Sequence, residues 1–302
     1  MVEIDISIIF KLYYINNEIL TMKTLQQILK ESYNNSNANE FDNYIVEGLN
    51  INVNNKTVSL TDTHDKGIDF SLVNNPVYDK YKYDKYKEYN VISIFKRTQL
   101  TDTNNVQKDG NPFIYALKNK NGWKFKITNE EINKYIRRFL EICKKINSKY
   151  DTIIITPSSS NLNEKFMKVI SKQVNTDKVI NEYFIKLSKE EIIDDDLIDK
   201  EQLRNDYGNS YERVLEEINR SFRRMKGRSF EAKYMKKEYL KYIKYISSNN
   251  DENLRQYIDN KDILLLDDTI SSGETISQCI NGILSNFIPK SITIITLLSK
   301  LK

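Results

Sequence analysis

The chain of 302 residues is long enough for two domains or for one domain with large insertions. Only 8 residues are glycine and no two stand close together, which excludes the G-x-G-x-x-G turn of dinucleotide-binding folds and the G-x-x-x-x-G-K-[ST] phosphate loop. One histidine and two cysteines exclude a His/Cys zinc cluster, and a formal charge of +4 from 46 basic and 42 acidic side chains is too balanced to make nucleic acid the main partner.

From the N-terminus, residues 1–33 read as mostly helical, with Leu25, Ile28 and Leu29 on one face, and a polar Asn-rich linker follows, so 1–43 form a helical appendage. The acids at Glu3 and Asp5 are wrong for a signal peptide, and no run approaches the roughly 18 apolar residues of a membrane span. A cytoplasmic protein without membrane contact is expected. Residues 44–127 look β-rich. Ile51 and Val53 alternate with Asn, then Asn54-Asn55-Lys56 turns the chain into Val58 and Leu60, a hairpin pattern. His64 lies in a polar turn and reads as solvated. Tyrosines and lysines interleave from Tyr78 to Tyr89, a composition that can stack on single-stranded nucleic acid. Its acids dilute that field, and a surface segment packing its rings on the domain is the favoured reading. A strand is expected over 91–95, and a second hairpin over 113–127, with Asn121-Gly122 as its turn.

At Thr128 the period changes to about 3.6. Thr128 with Glu131 makes a capping box opening a helix to about Lys149. Strands then alternate with helices: strand 152–156, helix 161–174, strand 179–185, strand 263–266, helix 273–284, strand 292–297. Such alternation implies βαβ crossovers and a parallel sheet with ligands at the carboxyl ends of its strands. Residues 128–302 thus form an α/β core, interrupted by a mainly helical insertion over 189–261. Its basic residues Arg223, Arg224, Lys226 and Arg228 are candidates for a lid over the site. Cys143 and Cys279, far apart in predicted helices, read as buried free thiols of a reducing compartment.

The stretch from Ile263 to Thr275, ILLLDDTISSGET, carries the chemistry. A buried apolar strand delivers Asp267 and Asp268, and a hydroxyl-rich turn with one glycine then opens a helix. Backbone N–H groups there, with the hydroxyls of Thr269, Ser271, Ser272 and Thr275, can cup a monophosphate dianion. The acids would repel that anion, so they must serve another part of the ligand, most naturally vicinal hydroxyls or a bound Mg²⁺. A phosphate at one end and a diol close by describe a phosphorylated ribose.

On these residues the sequence resembles the type I phosphoribosyltransferase family, whose signature is four apolar residues, two acids and a small hydroxyl-rich loop with a glycine. The order of elements over 128–300 is similar as well. The resemblance implies an α/β fold with a Rossmann-like parallel sheet, a β-rich N-terminal hood and a helical insertion. It implies Mg²⁺-dependent transfer of a phosphoribosyl group from phosphoribosyl pyrophosphate (PRPP) to a nitrogenous small-molecule acceptor, for which a nucleobase is one choice, with release of pyrophosphate. Asp267 and Asp268 would hold the ribose hydroxyls, directly or through the metal; Thr269, Ile270, Ser271, Ser272, Gly273 and Thr275 would bind the 5′-phosphate. The loop after the first core strand, with Ser158, Ser159, Ser160 and Asn161, would bind pyrophosphate. That loop has neither the usual glycine nor a basic residue, the nearest lysine being Lys165. A homodimer is what the resemblance suggests. The rival reading is a binding or regulatory protein that keeps the phosphoribosyl site without efficient pyrophosphate handling and has a protein or nucleic-acid partner.

Overall fold

Alternating apolar residues open the described part of the chain. The computed structural model describes residues 46–63, 67–83, 87–97, 110–118, 125–158, 162–227, 230–270 and 272–299. The expected appendage and His64 lie outside them, as do Ser159, Ser160, Asn161, Arg228 and Ser271 of the candidate site. Strands β1 (Gly48–Asn52) and β2 (Thr57–Thr61) form the expected hairpin, with Leu49 opposite Leu60 and Ile51 opposite Val58 on its buried face. Two further strands, β3 (Ile68–Asp69) and β4 (Val77–Lys82), lie antiparallel along one edge of the long strand β5 (Glu88–Arg97).

Residues 113–117, expected as a strand, form the helix α1 (Asn111–Leu117). Pro112 stands in its first turn, where the missing N–H costs nothing. Phe113 packs edge-on against Phe70 and Tyr135 with ring centroids 5.5 and 5.1 Å away. So short an apolar run carries no period of its own, and burial among these rings decides its form. The turn expected at Asn121-Gly122 lies outside the described residues; β6 (Lys126–Ile127) pairs parallel with β2.

The helix α2 (Asn129–Cys143) starts as the sequence predicts, with Thr128 Oγ1 accepting from the Glu131 N–H at 3.3 Å. Glu131 does not complete the capping box: its Oε2 accepts from the Leu60 N–H at 2.6 Å and ties the helix to the hairpin. The helix ends at Cys143, six residues short of the expected Lys149. Next come β7 (Thr152–Ile155), α3 (Leu162–Gln173) and β8 (Lys178–Ile180). The strand expected over 179–185 is two strands, because β9 (Phe184–Lys186) leaves the sheet. The insertion follows with α4 (Lys189–Asp194), α5 (Lys200–Tyr207), α6 (Tyr211–Arg224), β10 (Ile246–Ser248), which pairs with β9, and α7 (Arg255–Ile258). Last are β11 (Asp262–Ile270), α8 (Glu274–Leu284) and β12 (Ser291–Ser299).

Among the described residues the principal sheet has seven strands. Its run β8–β7–β11–β12–β5 is parallel throughout, while β3 and β4 are antiparallel to β5. The fold is therefore mixed α/β on a mixed sheet, where the sequence predicts a parallel one. Strands from the N-terminal half complete it: β5 pairs with β12 from Asn90 to Lys96. From β7 the chain runs through α3 outward to β8; from β11 it runs through α8 the opposite way to β12. Right-handed crossovers in opposite directions put their helices on opposite faces of a sheet. Accordingly Ile170 of α3 clusters with Leu264 and Leu266, and Ile280 of α8 clusters with Ile263 and Leu265. The insertion adds Ile218, Phe222 and Tyr239 to the α8-side cluster, so it forms part of a structural layer. Strand order diverges at the adjacent carboxyl ends of β7 and β11, the place where open α/β sheets lodge ligands.

Candidate functional site

Asp267 and Asp268 lie inside β11, which continues to Ile270, so the alternation of a strand sends them to opposite faces. Both are buried, at 8 % and 4 % exposure. Asp267 follows Ile263 and Leu265 onto the α8 side. There its Oδ1 accepts from Thr156 Oγ1 at 2.7 Å and from the Asp268 N–H at 2.9 Å. Thr156, just past β7, is held in turn by Asn163 of α3, whose Nδ2 donates to its Oγ1 at 3.2 Å and its carbonyl at 3.3 Å. Burial first, and then the neighbouring Asp268 charge, push the Asp267 carboxyl up to about 7, against the opposing pull of Thr156 and Lys118.

Asp268 faces the α1 and α3 side. Its Oδ2 pairs with Lys118 Nζ at 2.5 Å and lies 3.5 Å from Ser158 Oγ, while its Oδ1 accepts from Thr269 Oγ1 at 2.9 Å. Lys118 sits at the C-cap of α1 and is a part of the site that the motif does not reveal.

Beyond the acids, Thr269, Ile270, Ser272, Gly273 and Thr275 line a small cup together with Asp267, Glu274 and Ile276. Gly273 is left-handed at φ +83° and opens α8, and Ser272 Oγ accepts from the Glu274 N–H at 3.5 Å. The N–H groups at the start of an 11-residue helix, beside this hydroxyl-lined cup, can cradle an anion. Two tyrosines enclose it. Tyr81 of β4 donates its hydroxyl to Gly273 O and accepts from Ser277 Oγ, both at 2.8 Å. On the insertion side, Tyr245 OH is 3.1 Å from Thr275 Oγ1. The Tyr/Lys-rich segment thus packs Tyr81 on the domain, as its favoured reading has it. That tyrosine run was the one signal for Tyr81 in the sequence, whereas nothing there pointed to Lys118, Asn163 or Tyr245.

The structure therefore brings together Asp267, Asp268, Thr269, Ile270, Ser272, Gly273, Thr275 and Ser158. Of the lid candidates, Arg223, Arg224 and Lys226 make no bond to it among the described residues, and Arg228 lies outside them. Arg223 pairs with Glu216 at 2.5 Å. Among the described residues no three His, Cys, Asp or Glu side chains converge as a metal cage. With its two aspartates on opposite faces, the chain offers Mg²⁺ the Asp267 carboxylate in the cup, with Glu274 of α8 lining the same cup. That donor set fits an ion that arrives on a phosphorylated ligand and keeps most of its oxygen shell from water and phosphate. Cys143 and Cys279 are buried free thiols, as expected. No helix among the described residues is long and apolar enough to cross a membrane. Compared with models of known protein families, with characterised proteins and with solved structures, the chain matches none.

Proposed function

We propose that this chain is a phosphoribosyltransferase of the type I kind, with the Rossmann-like core that implies, and that it transfers a 5-phosphoribosyl group from PRPP to a nitrogenous acceptor. The observation that carries this reading is the adjacency, where strand order diverges, of a buried aspartate pair and a helix N-terminus opened by a left-handed glycine. The 5′-phosphate would rest on the first turn of α8 and the hydroxyls of Thr269, Ser272 and Thr275. Asp267 would meet the ribose hydroxyls, and Asp267 with ligand oxygens would hold Mg²⁺, which when bound would offset charge on the leaving group.

In the reaction the bond from ribose C1 to pyrophosphate breaks, pyrophosphate leaves with the electron pair, and the acceptor nitrogen bonds to C1 from the other face as its proton passes to solvent. The protein's work is to bind, align and exclude water. Tyr81 and Tyr245 support the cup from both sides, and Asn163 and Thr156 hold the Asp267 carboxyl in place.

A second reading, a phosphoribosyl-binding protein with weak or no transfer, is favoured by Glu274. Its carboxyl stands in the first turn of α8, lining the cup that a dianion would enter. An assay for pyrophosphate release from Mg²⁺·PRPP, run with a panel of nucleobases and other amines, separates the two. Release that needs an acceptor and is lost in Asp267→Asn supports the transferase. Binding of PRPP without release, whatever the acceptor, supports the second reading.

A further inference from the structure

The loop after β7 has no basic residue, and Lys165, the nearest in sequence, is exposed on α3. A pyrophosphate carries several negative charges and needs a cation beside it. In space that cation exists. Lys118 arrives from α1, on the Asp268 face of the sheet, and its Nζ sits 2.5 Å from Asp268 Oδ2. The same carboxylate oxygen lies 3.5 Å from Ser158 Oγ, the first hydroxyl of the loop. The pair is largely withdrawn from water, with side-chain exposures of 12 % for Lys118 and 6 % for Asp268. Moving the cation of such a pair leaves a buried charge behind, so the exchange needs both a denser anion for Lys118 and remaining donors for Asp268.

We propose that Lys118 is the cation of the pyrophosphate subsite and that it changes partner when the ligand binds. The inference rests on the phosphoribosyl reading and deepens it. In the free protein Lys118 neutralises Asp268. The incoming diphosphate offers a denser negative charge, and the flexible four-carbon stem of lysine lets Nζ follow it toward Ser158. Asp268, released, keeps Thr269 Oγ1 and Ser158 Oγ as hydrogen-bond donors at 2.9 and 3.5 Å. One exchange thus charges the leaving-group pocket, and it does so only for a ligand that bears the diphosphate. Ribose 5-phosphate, which lacks it, leaves the Lys118–Asp268 pair intact.

Calorimetric titrations of the full chain with Mg²⁺·pyrophosphate, Mg²⁺·PRPP and ribose 5-phosphate test this, using the parent, Lys118→Met and Lys118→Arg. The expected result for Lys118→Met is a loss of tenfold or more in affinity for pyrophosphate and PRPP, with ribose 5-phosphate unchanged within twofold. Lys118→Arg keeps the charge beside Asp268 and so guards against misfolding; it should retain most of the diphosphate affinity. If Lys118→Met fails to fold, the ¹⁵N resonance of Lys118 Nζ in the parent decides: it shifts with pyrophosphate and not with ribose 5-phosphate if the exchange occurs. Unchanged diphosphate affinity in Lys118→Met, an equal loss for all three ligands, or an unmoved Nζ resonance would overturn the role of Lys118 while leaving the phosphoribosyl reading standing. A parent that binds none of the three overturns both.

Discussion

Gly273 meets two demands at once. Its φ of +83° is a region that side chains rarely adopt, and a Cβ there would lie 2.5 Å from the Tyr81 ring. The close approach is what lets Tyr81 reach the Gly273 carbonyl. Gly273→Ala should therefore cost about 1–3 kcal/mol of stability from the backbone strain, read as a lower urea midpoint, and should displace Tyr81 from the cup. A variant as stable as the parent would mean that the turn has another conformation open to it. At this scale the sequence was most informative. The acids, the hydroxyls and the glycine were legible because they stand together in one short stretch between a strand and a helix. Lys118 was not, because a charge pair across 150 residues leaves no local pattern; nor was Asp267's opposite orientation from Asp268, which follows from a strand that runs four residues further than its apolar core.

Among the elements, α8 organises the site's surroundings. Its Gln278 accepts from the Tyr245 and Ile246 N–H groups at 3.0 and 3.2 Å and donates to the Ile243 carbonyl at 2.7 Å. One side chain thereby fastens the returning end of the insertion beside the cup and brings Tyr245 to Thr275. On the other flank, Tyr81 of β4 bonds Gly273 and Ser277, and Tyr83, just past that strand, donates to Asn281, so β4 and the insertion both hold α8. Gln278→Ala should leave these backbone groups unpaired at about 1–3 kcal/mol for each that stays buried. Hydrogen exchange should then quicken at residues 245–248 and in β9, while β11 keeps its protection; exchange confined to α8 itself would contradict the clamp. The long periodic helices and the wholly apolar strands were readable from sequence. Residues 113–117 were not: a short apolar run fits strand or helix, and the packing of Phe113 among Phe70 and Tyr135 settled it.

For the whole molecule, the sheet joins what composition separated. The N-terminal half looked like a distinct β-rich region, yet β5 lies parallel beside β12, and β3 and β4 extend the same sheet, with Tyr81 of β4 against the cup. Long-range pairing of this kind has no signature in local periodicity. Because both halves meet at the cup, a ligand bound there should stabilise the chain as a unit. At a hundred times its dissociation constant, a ligand that binds only the folded state adds about 2.7 kcal/mol, which for a chain of this length is a rise of about 4 °C in midpoint. The most direct measurement is thermal unfolding of the parent and of Asp267→Asn/Asp268→Asn with Mg²⁺ alone and with Mg²⁺·PRPP. A phosphoribosyl site predicts a PRPP-dependent rise in the parent that the double variant lacks. No rise in the parent beyond that with Mg²⁺ alone, or the same rise in both proteins, would contradict it.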